Sequence, residues 1–190
     1  MTTISFEGGL GSGKTLGMTF FLKCEQSLMG KTIYANYPLQ FPYEPLNMKQ
    51  LLATMTDLVD VSVAIDEFHI FCDSRVAASK RNLMMSYFGT QTRKRNVSFY
   101  FTSQFLDQVD KRIRRLVDYR IFCESLGGDW FRYLMYDLTQ MMPKTKVFYL
   151  YGPFVYNQYR TDKVIDVFSG HISKKDFEKM EAGSEESPDE

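Results

Sequence analysis

The sequence predicts an α/β fold, with a mainly parallel sheet flanked by helices and a β-rich C-terminal extension. Three stretches carry that expectation. Thr3-Ile4-Ser5-Phe6 reads as a short strand, followed by Gly8-Gly9-Leu10-Gly11-Ser12-Gly13-Lys14-Thr15 and a helical pattern from Leu16 to Leu28. Val61-Ser62-Val63-Ala64-Ile65 is an apolar run of buried-strand length that ends in Asp66-Glu67. Val97 to Thr102 is a further strand, closed by Ser103-Gln104. Strands alternating with helices, with polar residues at the strands' carboxyl ends, define this fold class.

The glycine-rich run meets G-x-x-x-x-G-K-[ST] at every fixed position and lies between a strand and a helix, as a phosphate-binding loop requires. Backbone N–H groups of such a loop curl around phosphate oxygens, and the helix N-terminus adds partial positive charge. Gly8, Gly9, Leu10, Gly11, Ser12, Gly13, Lys14, Thr15 and Leu16 are therefore the candidate nucleotide-binding residues. Lys14 is assigned to the β- and γ-phosphates, and the Thr15 hydroxyl to Mg²⁺. Asp66 has the place of a second magnesium ligand, and Glu67 that of the base that orients and deprotonates water. Gln104, on a strand expected beside that of Asp66, is placed to sense the γ-phosphate. The expected ligand is a nucleoside triphosphate, ATP or GTP, with Mg²⁺ as cofactor.

The other elements follow in order. Gly30 is a C-cap residue, and residues 31–36 read as a strand. Leu16, Phe20 and Phe21 share one face of the first helix. Pro38, Pro42 and Pro45 make a rigid loop; Asn47 is placed to cap a helix bearing Met48, Leu51, Leu52 and Met55. A short helix and a loop follow Phe68, and Ser79 caps a helix that runs to Arg95. Leu106 to Val117 reads as a helix with Asp107 as a possible cap, and residues 118–124 as a strand. Trp130–Leu138 and Lys146–Tyr151 alternate and form a hairpin around Pro143. Residues 155–168 mix strand and loop, residues 172–181 form an amphipathic helix, and the acidic end is disordered. The expected organisation is residues 1–125 as core, 126–175 as extension of the same domain, and 176–190 as tail.

Composition narrows the function. The 190 residues are 44% hydrophobic and carry 23 basic and 23 acidic side chains. No apolar run reaches the length of a membrane span, and no signal peptide opens the chain, so a soluble intracellular protein is expected. Cys24, Cys72 and Cys123 are read as buried free thiols. His69, near Cys72 without a second ligand pair, is read as a core histidine. Residues 75–120 hold 11 basic and 3 acidic residues, a band compatible either with DNA contact or with solvated helix faces. The aromatic hairpin is read as core more than as a base-stacking stripe.

The loop, Val61 to Glu67, and Thr92 to Asp118 together resemble the FtsK–HerA superfamily of P-loop ATPases. The likeness is to the DNA-packaging ATPases of membrane-containing icosahedral viruses and to the Zot-like ATPases of filamentous phages. Gln91 to Gln104 carries most of it: a basic helix end, then a strand ending in glutamine. The resemblance implies a RecA-like core and Gln104 as the sensor. It also implies Arg93, with Arg95 second, as an arginine finger offered to a neighbour in a homo-oligomeric ring, often a hexamer. It implies double-stranded DNA gripped through its phosphates, with Arg75, Lys80 and Arg81 as candidate contacts. Capsid or membrane-vertex proteins are the implied partners, at the packaging vertex of the virion. The expected function is thus packaging of a viral genome; a Zot-like assembly or secretion ATPase with a membrane partner is the alternative. The missing membrane span favours the first. Glu67, and the lack of an obvious lid, argue against a kinase. No Asn-Lys-x-Asp motif supports a GTPase, and a scaffold has no use for Glu67.

Overall fold

The computed structural model describes residues 2–47, 50, 51, 54, 57–71, 88, 94–142 and 144–162. Eight strands form one sheet: β1 Thr3–Glu7, β2 Thr32–Ala35, β3 Glu44–Pro45, β4 Val61–Ile65, β5 Ser98–Ser103, β6 Tyr119–Gly127, β7 Trp130–Asp137 and β8 Lys144–Tyr151. Their order is β3-β2-β4-β5-β1-β6-β7-β8. The first six in that order run parallel, while β7 and β8 are antiparallel additions at one edge. Every residue of β1, β4 and β5 is buried, as expected of parallel strands covered on both faces. β5 lies between β1 and β4, so the carboxyl ends of the glycine-loop strand, the Asp66 strand and the Gln104 strand are neighbours.

Helix α1 (Lys14–Met29) covers one face and ends at Gly30 in the left-handed conformation. Its Leu16, Met18 and Leu22 share a buried cluster with Ile4 and Phe6 of β1 and Ile33 of β2. The other face is built from Val61, Val63, Ile65, Phe99 and Phe101, with Phe68 and Phe88 edge-on to Phe99. Helix α1 differs from the expected single-faced helix. Gly17, Met18 and Thr19 are buried as well as Leu16 and Leu22, whereas Phe20 is 37% exposed. The cause is the hairpin β7–β8, which packs on α1 from the side: Tyr133 stacks on Phe148 at 4.9 Å, and Phe148 meets Phe21 at 5.7 Å. The hairpin aromatics thus divide. Phe131 and Tyr133 join the core, while Trp130 and Tyr149 remain exposed.

The expected helix from Leu106 to Val117 is broken into a 3₁₀ turn, Leu106–Gln108, and a short helix α3, Lys111–Arg114; helix α2 is Phe68–Phe71. The cap is Asp110, not Asp107. Its carboxylate accepts the Arg112 N–H at 2.8 Å and the same residue's guanidinium at 3.1 and 2.9 Å. A side chain that ties up the local backbone starts a new helix there. Asn47 accepts the Gln50 N–H at 3.2 Å, as an N-cap does, and Gln50, Leu51 and Thr54 are helical; Met48, Leu52 and Met55 lie outside the described residues. Residues 152–158 are two 3₁₀ turns, and Leu39 bridges to Tyr159. The expected helix from Ser79 to Arg95, residues 172–181 and the acidic tail lie outside the described residues, apart from Phe88, Lys94 and Arg95. Among the described residues, no helix is long and apolar enough to cross a membrane.

Gly17 marks where the hairpin closes on α1: a Cβ there would stand 2.4 Å from Tyr133 Cε1. At an unobstructed helix position Gly→Ala stabilises by about 0.8–1.0 kcal/mol. Here Gly17→Ala is expected to destabilise by about 1–3 kcal/mol through overpacking. Urea titration reads the sign, and a stabilised variant would contradict this packing.

Candidate functional site

The site forms where the loop between β1 and α1 meets the ends of β4 and β5. Gly13 takes φ +86°, which sets the start of α1, and a Cβ on it would lie 2.5 Å from the Phe131 ring. No side chain caps this helix, so its first N–H groups face the cleft. The loop is supported from behind: the Tyr133 hydroxyl donates to the Gly13 carbonyl at 2.8 Å. Just upstream, Glu7 is buried and takes two hydrogen bonds from Arg120 on β6, at 2.6 and 2.7 Å. That bidentate pair ties the base of the loop to the neighbouring strand.

Lys14 folds over the loop. Its ammonium donates to the Gly8 and Gly9 carbonyls at 3.0 and 2.9 Å, which leaves one of its three protons for an anion. Ser12 Oγ is buried without a hydrogen-bond partner. An orphaned hydroxyl beside an ammonium and free helix N–H groups is a cradle suited to phosphate.

Thr15 and Asp66 meet across the cleft. The Thr15 hydroxyl lies 3.0 and 3.2 Å from the two Asp66 oxygens. Asp66 is only 3% exposed. Burial pushes its carboxyl above the usual range; hydrogen bonds from Thr102 and Thr15 pull it back, nearby Glu67 raises it, and the Lys14 charge lowers it. One carboxylate and one hydroxyl, with no cluster of three His, Cys, Asp or Glu among the described residues, suit Mg²⁺, which keeps water and phosphate oxygens in its shell.

Two further residues hold Asp66, and neither was singled out from sequence. Asn36, buried at the end of β2, pairs with the Asp66 backbone in both directions: its Nδ2 donates to the Asp66 carbonyl at 3.1 Å, and its Oδ1 accepts the Asp66 N–H at 2.7 Å. Thr102 on β5 donates to Asp66 Oδ1 at 2.6 Å and accepts the Glu67 N–H at 2.9 Å. A polar residue at the buried end of a strand was the available signal. Glu67 is held at φ +53°, an uncommon conformation for a non-glycine residue, and such strain collects at functional sites. Its carboxylate lies 3.5 Å from His69 Nε2, so His69 is a partner of Glu67 rather than a core histidine.

The remaining expected residues are spread wider. Lys14, Thr15, Leu16, Asp66 and Glu67 line one cleft with Leu10, Gly11 and Gly13. Gln104 follows β5 immediately and is half-buried, but does not line that cleft. Arg95 precedes β5, at the opposite end of the strand, roughly 20 Å from its carboxyl end at about 3.3 Å per residue. It cannot serve its own chain's loop. Arg93, Arg75, Lys80 and Arg81 lie outside the described residues, as does Cys72. Cys123 is a buried free thiol, pushed up to about 12 by burial, whereas Cys24 is only half-buried.

Thr102→Val removes a hydroxyl that serves two buried partners and keeps the side-chain volume. Leaving the Glu67 N–H and an Asp66 oxygen unpaired is expected to cost about 1–3 kcal/mol. Urea unfolding at pH 7 measures it; an unchanged midpoint would show that Thr102 does not hold this junction.

No protein-family model matches the sequence, and no curated protein matches it. Solved structures do. The N-terminal domain of zonular occludens toxin from Neisseria meningitidis superposes with a TM-score of 0.60 at 18% identity, over 84% of this chain and 98% of that one. The genome packaging NTPase B204 of Sulfolobus turreted icosahedral virus 2, solved with ATP-gammaS, gives 0.55 at 10% identity, over 76% and 96%. The DNA-packaging ATPase B204 of Sulfolobus turreted icosahedral virus gives 0.54 at 13% identity over the same shares. The resemblance expected from the motifs is met at the level of fold: this chain has the RecA-like P-loop fold that these proteins share.

Proposed function

We propose that the chain is an ATP-hydrolysing motor that translocates double-stranded DNA and packages a viral genome into a preformed capsid. The observation that carries the reading is the junction of Thr15, Asp66 and Glu67 at the mouth of a phosphate cradle. In this reading the loop N–H groups, Ser12 and Lys14 bind the triphosphate. Thr15 and Asp66 hold Mg²⁺, which when bound supplies positive charge to the phosphate oxygens. Glu67 orients a water and takes its proton; its strained backbone and the His69 contact fix the carboxylate at the cleft. Asn36 and Thr102 keep Asp66 and Glu67 from drifting relative to the loop.

The motor works as a homo-oligomeric ring, a hexamer in the simplest arrangement, with Arg93 entering the neighbour's site to neutralise charge on the transferring phosphoryl group. Arg75, Lys80 and Arg81 grip the DNA backbone, which suits movement along any sequence. Capsid or membrane-vertex proteins dock the ring, and it acts in the host cytoplasm. A second reading, an assembly or secretion ATPase that works with a membrane partner, is favoured by one observation: the likeness spans 98% of the zonular occludens toxin domain.

Steady-state ATP hydrolysis with and without double-stranded DNA, across salt concentrations, separates the two. Stimulation that fades with salt is expected of a motor gripping phosphates. A DNA-independent rate in the assembled protein would transfer the proposal to the second reading. Within either, Glu67→Gln is expected to keep ATP affinity while kcat falls at least about 100-fold. Undiminished turnover would remove the base assignment. Arg93→Ala should lose about 1,000-fold in rate, and mixing it with Glu67→Gln subunits should recover part of it if the finger acts in trans.

A further inference from the structure

The cleft continues past the phosphate loop. Its volume is about 310 Å³, and Phe131, Tyr156, Tyr159 and Thr161 complete its lining. One part of the lining is therefore polar and charged, with Lys14, Thr15, Asp66 and Glu67, and another part is aromatic. That division matches a nucleotide, an anionic tail joined to a π-faced base.

The wall is built rather than incidental. The Tyr156 ring lies against Gly152, where a Cβ would stand 2.4 Å from the ring, so only glycine admits it. The Tyr156 hydroxyl donates to Asp129 Oδ1 at 2.8 Å. Tyr159 is set edge-on to Tyr37 at 6.5 Å, and Tyr37 in turn shares a hydrogen bond with Thr19 of α1 at 3.0 Å. The backbone is pinned on both sides of Tyr159, by Gln40 N–H to Gln158 O at 2.8 Å and by Arg160 N–H to Pro38 O at 2.9 Å. Yet Tyr156 keeps 41% of its surface exposed. A ring fixed in place and left open offers a stacking face at little entropic cost.

We propose that this aromatic wall receives the nucleobase, and that it accepts either purine, so the substrates are ATP and GTP alike. Stacking uses a π-face that every base has. Strong discrimination requires buried groups that match one base's edge. Among the described residues, the side-chain polar groups on this part of the lining are hydroxyls, those of Tyr156, Tyr159 and Thr161; Tyr156 gives its proton to Asp129 and is left as an acceptor, while a hydroxyl of the Tyr159 or Thr161 kind both donates and accepts. The Tyr159 and Thr161 hydroxyls suit the adenine amino group or the guanine carbonyl alike. The proposal rests on the loop reading above, and its test keeps the two apart.

The test measures hydrolysis of ATP and GTP, together with inhibition by inorganic tripolyphosphate, which has no base. The wild-type chain is expected to show kcat/KM values for the two nucleotides within about tenfold. Tyr156→Leu, which keeps apolar bulk without the ring, should raise KM for both nucleotides roughly 5- to 100-fold, the worth of one stacked base. Its tripolyphosphate inhibition should be unchanged, which also shows that it is folded. Gly152→Ala, which displaces the ring, should do the same. A Tyr156→Leu protein that keeps wild-type KM for both nucleotides, or a GTP efficiency 1,000-fold below that for ATP, overturns the proposal. Lys14→Ala should lose nucleotide and tripolyphosphate together. If it retains both, the loop reading itself fails, independently of the wall.

Discussion

The structure depends on one buried carboxylate. Asp66 stands at the carboxyl end of β4, almost without solvent, and residues from three neighbouring elements are tied to it. Asn36 fixes its backbone from β2, Thr102 holds one oxygen from β5, and Thr15 reaches both oxygens from the start of α1. An ionised group in such a place is tolerated only when its lone pairs are satisfied. The same bonds that satisfy it therefore hold three strands and a helix in register at the site. Glu67 inherits its position from this junction through the Thr102 hydroxyl and is held in a backbone conformation it would not choose alone.

The phosphate loop is fastened from the other side. Glu7 and Arg120 lock β1 to β6 at the residue before the first glycine, and Tyr133 holds the Gly13 carbonyl. The antiparallel hairpin is thus more than an ornament on the sheet edge. It supplies the packing that makes α1 a buried helix on several sides, and it requires glycine at positions 13 and 17 for reasons of space as well as backbone. It also leads into the turns that carry Tyr156 and Tyr159 back to the cleft. One stretch of chain then both supports the loop and supplies the aromatic part of the cleft lining.

This arrangement relates stability to chemistry. The cleft holds an orphaned hydroxyl, an ammonium satisfied by carbonyls, free helix N–H groups and a buried carboxylate whose proton affinity burial has raised. The hydroxyl and the helix N–H groups are ones that water or protein would ordinarily satisfy more fully. Their concentration beside an ammonium is the mark of a site shaped for an anionic ligand, rather than for the chain's own stability.

Sequence alone determined the parts whose chemistry is local. The strand, the glycine run, Lys14-Thr15, the apolar strand before Asp66-Glu67 and the hairpin are set by spacing and residue type, because short-range sterics and burial decide them. Tertiary structure decided what depends on contacts across the chain. The sheet order brings β5 between β1 and β4, so Thr102 touches the acidic pair. Asn36 gained its role from a neighbour 30 residues away. The division of the hairpin aromatics into core and surface was equally hidden. An alternating strand shows that it has two faces, but not which face another element will cover, since burial is a property of the partner as much as of the residue.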